Sequence, residues 1–365
     1  MTRLKPTALT APGKLTPPTA QARLTTWTTR TIQAARTPLT ALIAAAAMLL
    51  CACGTPTGAT ATVIGSAAPV SQPMPANVSS AGPTPPTAQG SSPPACDPVA
   101  SYRPPATMPV PGSMPAGSTM ARIQARGKLV VGVDENTYLF GYLNATDGEI
   151  EGFEIDLATA VAAALFGDAA GHIQLKPITA EARIPDLLNG SVDIVVDTMT
   201  ENCARWQQIA FSTEYYAATQ RLLTNKNSPY KSLSDLGGQK VCAETGSTSL
   251  GTVARAAGHP IPVGVDGITD CLVMLEQGEI GAISTDDAIL IGLAVQDPQT
   301  HVIGPALEAE PYGIGIAPNS IDLVRFVNGV LDRMRADGSW TALYRKWPGQ
   351  LGGPVPPPPP AVYRD

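Results

Sequence analysis

Apolar residues in this chain fall into runs of two kinds. Short, nearly continuous runs at Lys128–Asp134 (KLVVGVD), Ile173–Pro177, Val192–Asp197, Lys240–Glu244 and Ala282–Thr285 predict buried strands, and Arg221–Asn225 predicts an extended segment. Between them lie stretches with helical spacing. Phe153–Phe166 has Asp156 near its start, Ile184–Asn189 stops at Gly190, and Leu250–Ala257, Thr269–Gln277 and Ala288–Val295 follow. A long amphipathic helix runs through Ile321, Val324, Val327, Val330, Leu331 and Met334 and is followed by Trp340–Trp347. Strands alternating with helices predict an α/β fold built from parallel βαβ units.

The flanks read differently. Of 365 residues, 36 are proline and 34 glycine, too many for one compact domain. The prolines crowd into 56–115 and Pro354–Pro360, which leaves about 230 residues of ordinary composition at roughly 120–350. Residues 1–38 hold Arg3, Lys5, Lys14, Arg23, Arg30 and Arg36 and no acid. The apolar run Leu39–Leu50 follows and ends in Leu50-Cys51-Ala52-Cys53-Gly54. That run is too short to span a hydrocarbon core of roughly 30 Å. It resembles the lipobox of bacterial lipoproteins, which implies a signal peptide over 1–52, lipidation of Cys53 and an extracytoplasmic, membrane-anchored product. An ordinary secretory peptide with an incidental cysteine is the alternative, and a start codon downstream of Met1 would shorten the long basic segment.

Removing 1–52 takes away six of the 24 basic residues and none of the 30 acidic ones, so the net charge moves from −6 to −12. An acidic chain of this kind excludes nucleic acid as a natural partner. Residues 53–119, rich in Pro, Ser, Thr, Ala and Gly, read as a partly extended tether, and 351–365 as a flexible Pro-rich tail. Beyond Cys53 the cysteines are Cys96, Cys203, Cys242 and Cys271, an even number in an exported chain, for which three pairings exist. Cys242 with Cys271 closes a short loop between a strand and the next helix, and Cys96 with Cys203 staples the end of the tether to the domain. Zinc is the weaker use, since His172, His259 and His301 stand apart from the cysteines and no CxxC or CxxH occurs.

Three fragments carry a family likeness: Gly148–Ala160 (GEIEGFEIDLATA), Arg183–Arg205 followed by Phe211-Ser212, and Ser284–Leu290 (STDDAIL). In order and spacing they resemble the polar-amino-acid-binding proteins of ABC importers, bacterial extracellular solute-binding protein family 3. Within it the likeness is to glutamate-, aspartate- and glutamine-binding lipoproteins of actinobacterial type. The resemblance implies a two-lobed periplasmic-binding-protein type II fold. Lobe one would be 120–218 plus 315–350. Hinge strands and lobe two would fill 219–314, with the crossing near Thr219–Thr224 and Glu310–Ile316. It also implies a free amino acid as ligand, an ABC permease or a membrane sensor as partner, a monomer, and no cofactor or metal.

A buried amino acid needs fixed partners for each of its charges. By the resemblance, Arg205, six residues before Phe211-Ser212, forks onto the α-carboxylate. Thr198 and Thr200 grip the same ligand, and Asp286 receives its ammonium. Gly246, Ser247 and Thr248 form a turn at a helix N-terminus that meets the carboxylate. Adjacent Asp287 reads as an N-terminal helix acid. Arg183 matches a reader of a side-chain carboxylate. Asp134 and Glu244 depart from the acidic-ligand pattern toward that of glutamine binders. The order of ligands is therefore glutamate, aspartate, then glutamine and asparagine. Tyr138, Phe140 and Tyr142 are candidates for an aromatic wall. The competing class is an enzyme on the same fold, dehydratase-like or wall-cleaving, with Glu244 as its acid.

Overall fold

A computed structural model describes residues 73–79 and 96–365. The expected signal peptide, Cys53 and most of the expected tether lie outside the described residues. The chain builds two α/β lobes, each around its own sheet. In lobe one the strand order is Ile173–Pro177, Leu129–Val133, Ile194–Val195, Gly315–Ile316, Ala210–Phe211. The first three are parallel and Gly315–Ile316 runs against both of its neighbours. In lobe two the order is Ile261–Val265, Lys240–Glu244, Ala282–Asp286, Tyr216–Asn225, Thr300–Ile303. The strands Leu129–Val133 and Ala282–Asp286 are buried nearly throughout, as sheets covered on both faces require.

Helices cover those faces. Phe153–Phe166 buries Phe153, Leu157, Val161 and Leu165 against lobe one, together with Val324, Val327 and Val330 of the helix Ile321–Asp337. Its start is fixed by Gly152, whose φ is 141° and where a Cβ would stand 2.0 Å from the Phe140 carbonyl oxygen. Only glycine lets the chain turn there. In lobe two, Ile268–Glu276 and Asp287–Gln296 pack Cys271, Leu275, Ile289 and Leu293 onto Val263, Val265 and Ile283.

The lobes are joined by a two-stranded crossing. The first half of Tyr216–Asn225 pairs antiparallel with Ala309–Tyr312, Tyr216 facing Tyr312 and Ala218 facing Glu310. Its second half pairs inside lobe two, Gln220 facing Asp286 and Leu223 facing Ile283. Most of Thr219–Thr224, expected to cross, thus belongs to a sheet. The run Arg221–Asn225 is only the second half of a ten-residue strand, the half with the continuous buried stretch Leu222–Thr224, while the first half, Tyr216–Gln220, is less buried.

Both flanks correct the sequence expectation. The stretch 53–119 is not tether throughout: from Cys96 it is folded, and the helix Thr119–Arg126 packs Met120 and Ile123 into the lobe-one core. Ser79 pairs with Gly264 on the edge of the lobe-two sheet. Nor is 351–365 a flexible end. Val362–Tyr363 adds to Ala100–Ser101 as a parallel pair, Pro359 is buried and its carbonyl accepts from Arg335. Proline richness removes donors but leaves carbonyls and flat apolar rings that a neighbouring arginine and aromatic can use.

Two disulfides are present, Cys96–Cys203 with Cα atoms 5.9 Å apart and Cys242–Cys271 at 5.6 Å. The second closes a loop of 29 residues between a lobe-two strand and the helix on it. Replacing both of its cysteines by alanine is expected to lower the unfolding free energy by about 3 kcal/mol, measured by urea denaturation of the full chain. An unchanged midpoint would mean that this pair adds nothing to lobe two.

Candidate functional site

Where the lobes meet, Arg205 projects from the short helix Cys203–Trp206, whose N-cap Asn202 accepts the Arg205 backbone N–H at 2.9 Å. Its guanidinium donates to the Thr200 carbonyl at 2.8 Å in lobe one and to the Gly246 carbonyl at 3.2 Å in lobe two. Arg205 is 8% exposed. Burial, and then the neighbouring Arg183, pulls its pKa down to about 9, while Glu310, Asp286 and Asp197 oppose the fall. It is charged at neutral pH in a place with little water.

The lobe-two partner is the turn Thr245–Thr248. Gly246 has φ +82°, and a Cβ there would stand 2.6 Å from Cα of Glu181 in lobe one. The lobes approach this closely because the turn is bare. Ser247 is the N-cap of Thr248–Arg255: its hydroxyl accepts from Leu250 N–H at 3.1 Å and donates to the Glu244 carbonyl at 2.7 Å. That hydroxyl is spent on the turn. Thr248 donates at 2.9 Å to Glu310, a carboxylate on the crossing strand that also takes the Thr200 hydroxyl. Glu310 therefore ties lobe one, lobe two and hinge through two hydroxyls.

Asp286 ends the central lobe-two strand and is 4% exposed. One oxygen accepts from the Tyr312 hydroxyl at 2.6 Å, and the other, Oδ1, has no hydrogen-bond partner among the described residues. Burial and the nearby Glu310 push its pKa well above the usual carboxylate range. Asp287 turns away, taking its own helix's Ala288 N–H at 2.9 Å and, on the neighbouring strand, the Thr219 backbone N–H and hydroxyl at 3.1 and 2.7 Å.

Thr198 sits at φ 38°, a left-handed conformation that a β-branched residue adopts only under constraint. Its N–H is held at 2.7 Å by Glu154, which the Tyr215 hydroxyl also meets. Arg183 donates from Nε to the Ala180 carbonyl and from Nη1 to the Asp197 carbonyl, each at 2.9 Å. The Asp197 carboxylate lies 3.9 Å from its Nε. Asp134 spends both oxygens on its own turn, accepting from Glu135, Asn136 and, at 2.5 Å, the Thr137 hydroxyl. Glu244 is pushed up to about 8 by burial and by Asp134, with Arg183 opposing.

The candidates thus gather where the lobes meet, Asp134 lining one cavity and Thr200, Gly246, Ser247 and Thr248 another, and their roles divide. Arg205, Asp286, Arg183 and Glu244 keep unsatisfied capacity or perturbed charge there. Asp134 and Ser247 are committed locally, and the Thr200 and Thr248 hydroxyls are committed to Glu310. Of the aromatics, Phe140 is core, packed edge-on to Phe153 and Tyr216, and Tyr142 packs on Trp347 with its hydroxyl on Glu151. Tyr138 is the one that reaches lobe two, beside Gly292. Sequence reasoning missed Glu154, Asp197, Glu310 and Tyr312. The available signal was an acid inside an otherwise apolar run, as in Phe153-Glu154-Ile155 and Val196-Asp197.

With this geometry in view, the chain was compared with known proteins. The family model for bacterial extracellular solute-binding proteins, family 3, matches residues 129–350. The chain belongs to that family. The ABC transporter glutamine-binding protein GlnH of Bacillus subtilis (strain 168) is 37% identical over 230 residues, 63% of this chain and 84% of the relative. The glutamate/aspartate import solute-binding protein of Salmonella typhimurium (strain LT2) is 28% identical over 257 residues, 67% of this chain and 83% of that one. Among solved structures, an ancestral arginine-binding protein bound to glutamine superimposes with TM-score 0.57 at 34% identity, covering 61% of this chain and 98% of its own. These similar proteins are named for the solutes they bind. The chain is likewise a solute-binding protein, and the enzymatic reading of Glu244 falls.

A carboxyl raised above its unfolded value holds a proton that the unfolded chain releases. Glu154, pushed up to about 7, and Glu244, at about 8, thus favour the fold below the ordinary 4.5, and that advantage is lost as pH rises through their folded values. Urea midpoints should fall between pH 5 and pH 8.5, and Glu244→Gln should flatten the upper part of that decline. An identical slope in the variant would show that Glu244 titrates normally.

Proposed function

We propose that this family 3 protein is a lipid-anchored receptor that closes around a small polar amino acid and presents it to an ABC permease or a membrane sensor. The observation that carries the reading is the meeting of Arg205 from lobe one and Asp286 from lobe two in one buried charge network, beside a turn bare enough to let the lobes touch. An α-carboxylate satisfies the remaining Arg205 donors, and an ammonium satisfies Asp286 Oδ1. Neither charge is tolerable in the closed cleft without the other.

The side chain best accommodated ends in an oxygen acceptor, as in glutamate, aspartate, glutamine or asparagine. Arg183 makes no hydrogen bond from Nη2 among the described residues, and Glu244, protonated at neutral pH, donates rather than repels. Burial, which raises Glu244 to about 8, thereby lets it face an acidic side chain without repelling it. Closure follows from binding: ligand charges fill the gap between Arg205 and Asp286, and Glu310 locks the hinge hydroxyls. Relatives named for glutamine and for glutamate/aspartate agree with this class.

The test is thermal unfolding of the full chain with each of the twenty amino acids, followed by calorimetry. One or more of the four acceptor-bearing amino acids should raise the midpoint, and Arg205→Ala should cost at least about 100-fold in affinity. Stabilisation by arginine or lysine alone would sink the side-chain assignment, and no stabilisation by any amino acid would sink the receptor reading.

Anchoring is tested separately. Cys53→Ser should abolish incorporation of a fatty-acid label and release the chain from membranes in a bacterial host. Unchanged labelling would place the lipid elsewhere.

A further inference from the structure

The helix carrying Arg205 is four residues long and far too short to hold itself. What holds it comes from the two ends of the chain, both outside the family match of 129–350. Cys203 is joined to Cys96. The Trp206 indole N–H donates to the Pro98 carbonyl at 2.7 Å. The Arg364 guanidinium lies 3.7 Å over the Trp206 ring and donates from Nε to the Ala100 carbonyl at 2.7 Å.

The two end segments also fix each other. Ala100–Ser101 pairs with Val362–Tyr363, and the Arg364 N–H continues the ladder to the Ser101 carbonyl at 2.9 Å. Ser101 donates at 2.6 Å to the Phe211 carbonyl, at the other end of the arginine segment, and Asn328 clamps Ser101 and Tyr102 from the long helix. Asp365 takes the Arg103 N–H at 2.8 Å and pairs with Arg325. The turn is thus gripped by a covalent bond, an indole hydrogen bond and a stacked cation, and of their residues Pro98 also lines a cavity with Thr200, Gly246, Thr248 and Glu310.

We propose that the arm 96–103 and the strap 354–365 form a clamp that sets the orientation of Arg205, with Arg364 as a positioning residue acting through Trp206. A forked carboxylate contact tolerates little angular error, so the residue next to the fork is where outside support has most effect. The proposal rests on the receptor reading for its effect on affinity, but not for its effect on the turn itself.

The test therefore has two arms on the full chain, comparing wild type with Arg364→Ala and with the double variant Cys96→Ser/Cys203→Ser. Without ligand, amide hydrogen exchange of residues 203–209 should speed up in both, while exchange in lobe two is unchanged. With ligand, L-glutamine and L-glutamate are each titrated beside their α-amides, which lack the carboxylate that Arg205 holds. Arg364→Ala should weaken the free acid about fivefold and leave its α-amide unmoved. Arg364→Lys should not restore the loss, because an ammonium cannot lie flat on the indole while donating to Ala100.

Equal losses for acid and α-amide, or unchanged exchange at 203–209, would overturn the clamp. If exchange speeds up as expected but wild type binds neither amino acid, the clamp stands and the ligand assignment falls.

Discussion

Arg205 carries a fixed positive charge in a place from which most water has been removed, and the rest of the cleft is arranged around that cost. Even lowered to about 9, the guanidinium keeps its proton at neutral pH, where a buried carboxyl can escape its charge by taking one up, so the protein must surround it with acceptors. Carbonyls of Thr200 and Gly246 supply them from opposite lobes, and Glu310, Asp286 and Asp197 supply negative charge at longer range. Each acid brought in for that purpose is itself stranded by burial, which is why Asp286, Asp197 and Glu310 are all raised above the usual carboxylate range. The cleft is a set of charges that cannot all be satisfied by protein alone. A zwitterion supplies one charge of each sign where they are missing.

The hinge follows from the same constraint. Glu310 lies on the crossing strand Ala309–Tyr312, and its carboxylate is shared by hydroxyls from both lobes. Tyr312, two residues on, holds Asp286. One short strand therefore contacts the partner groups for both ends of the proposed ligand, and a rotation about it changes Arg205, Asp286 and the Thr248 turn together. Coupling of this kind needs no long pathway, because the groups that sense the ligand sit on or beside the segment that bends.

How much of this the sequence discloses depends on what each residue's neighbours reveal. Strands buried on both faces and the helices between them were legible, because period and length speak for themselves in runs such as Leu129–Val133 and Ile321–Asp337. Arg205 and Asp286 were legible through spacing to Phe211-Ser212 and through Ser284–Leu290. Glu154, Asp197 and Glu310 were not, since each has another acid within four residues (Asp156, Asp193 and Glu308) and nothing local says which of them faces a cleft, a cap or a partner 44 to 110 residues away. Asp134 is ambiguous in another way: its position resembles a ligand reader and it lines a cavity, while its oxygens also close a local turn. The tail was misread for a further reason. Proline-rich composition reports the loss of backbone donors, whereas docking of 359–365 depends on Arg335, Arg325 and Trp206, which lie far away in sequence.

The division between shared scaffold and added segments is a physical one as well. A fold that closes on a ligand needs a mobile crossing and a rigid reader, and these demands conflict when the reader sits on a short turn next to the crossing. In this chain Arg205 is only eleven residues before Tyr216, where the crossing begins. Any bending that reached the turn would misalign the fork as the lobes moved. Stapling Cys203 to the arm and stacking Arg364 on Trp206 stiffens the lobe-one side of that short distance without engaging the crossing pair of Tyr216 and Tyr312. The added ends place rigidity where the shared scaffold has least of its own, between the residue that reads the ligand and the strand that must move.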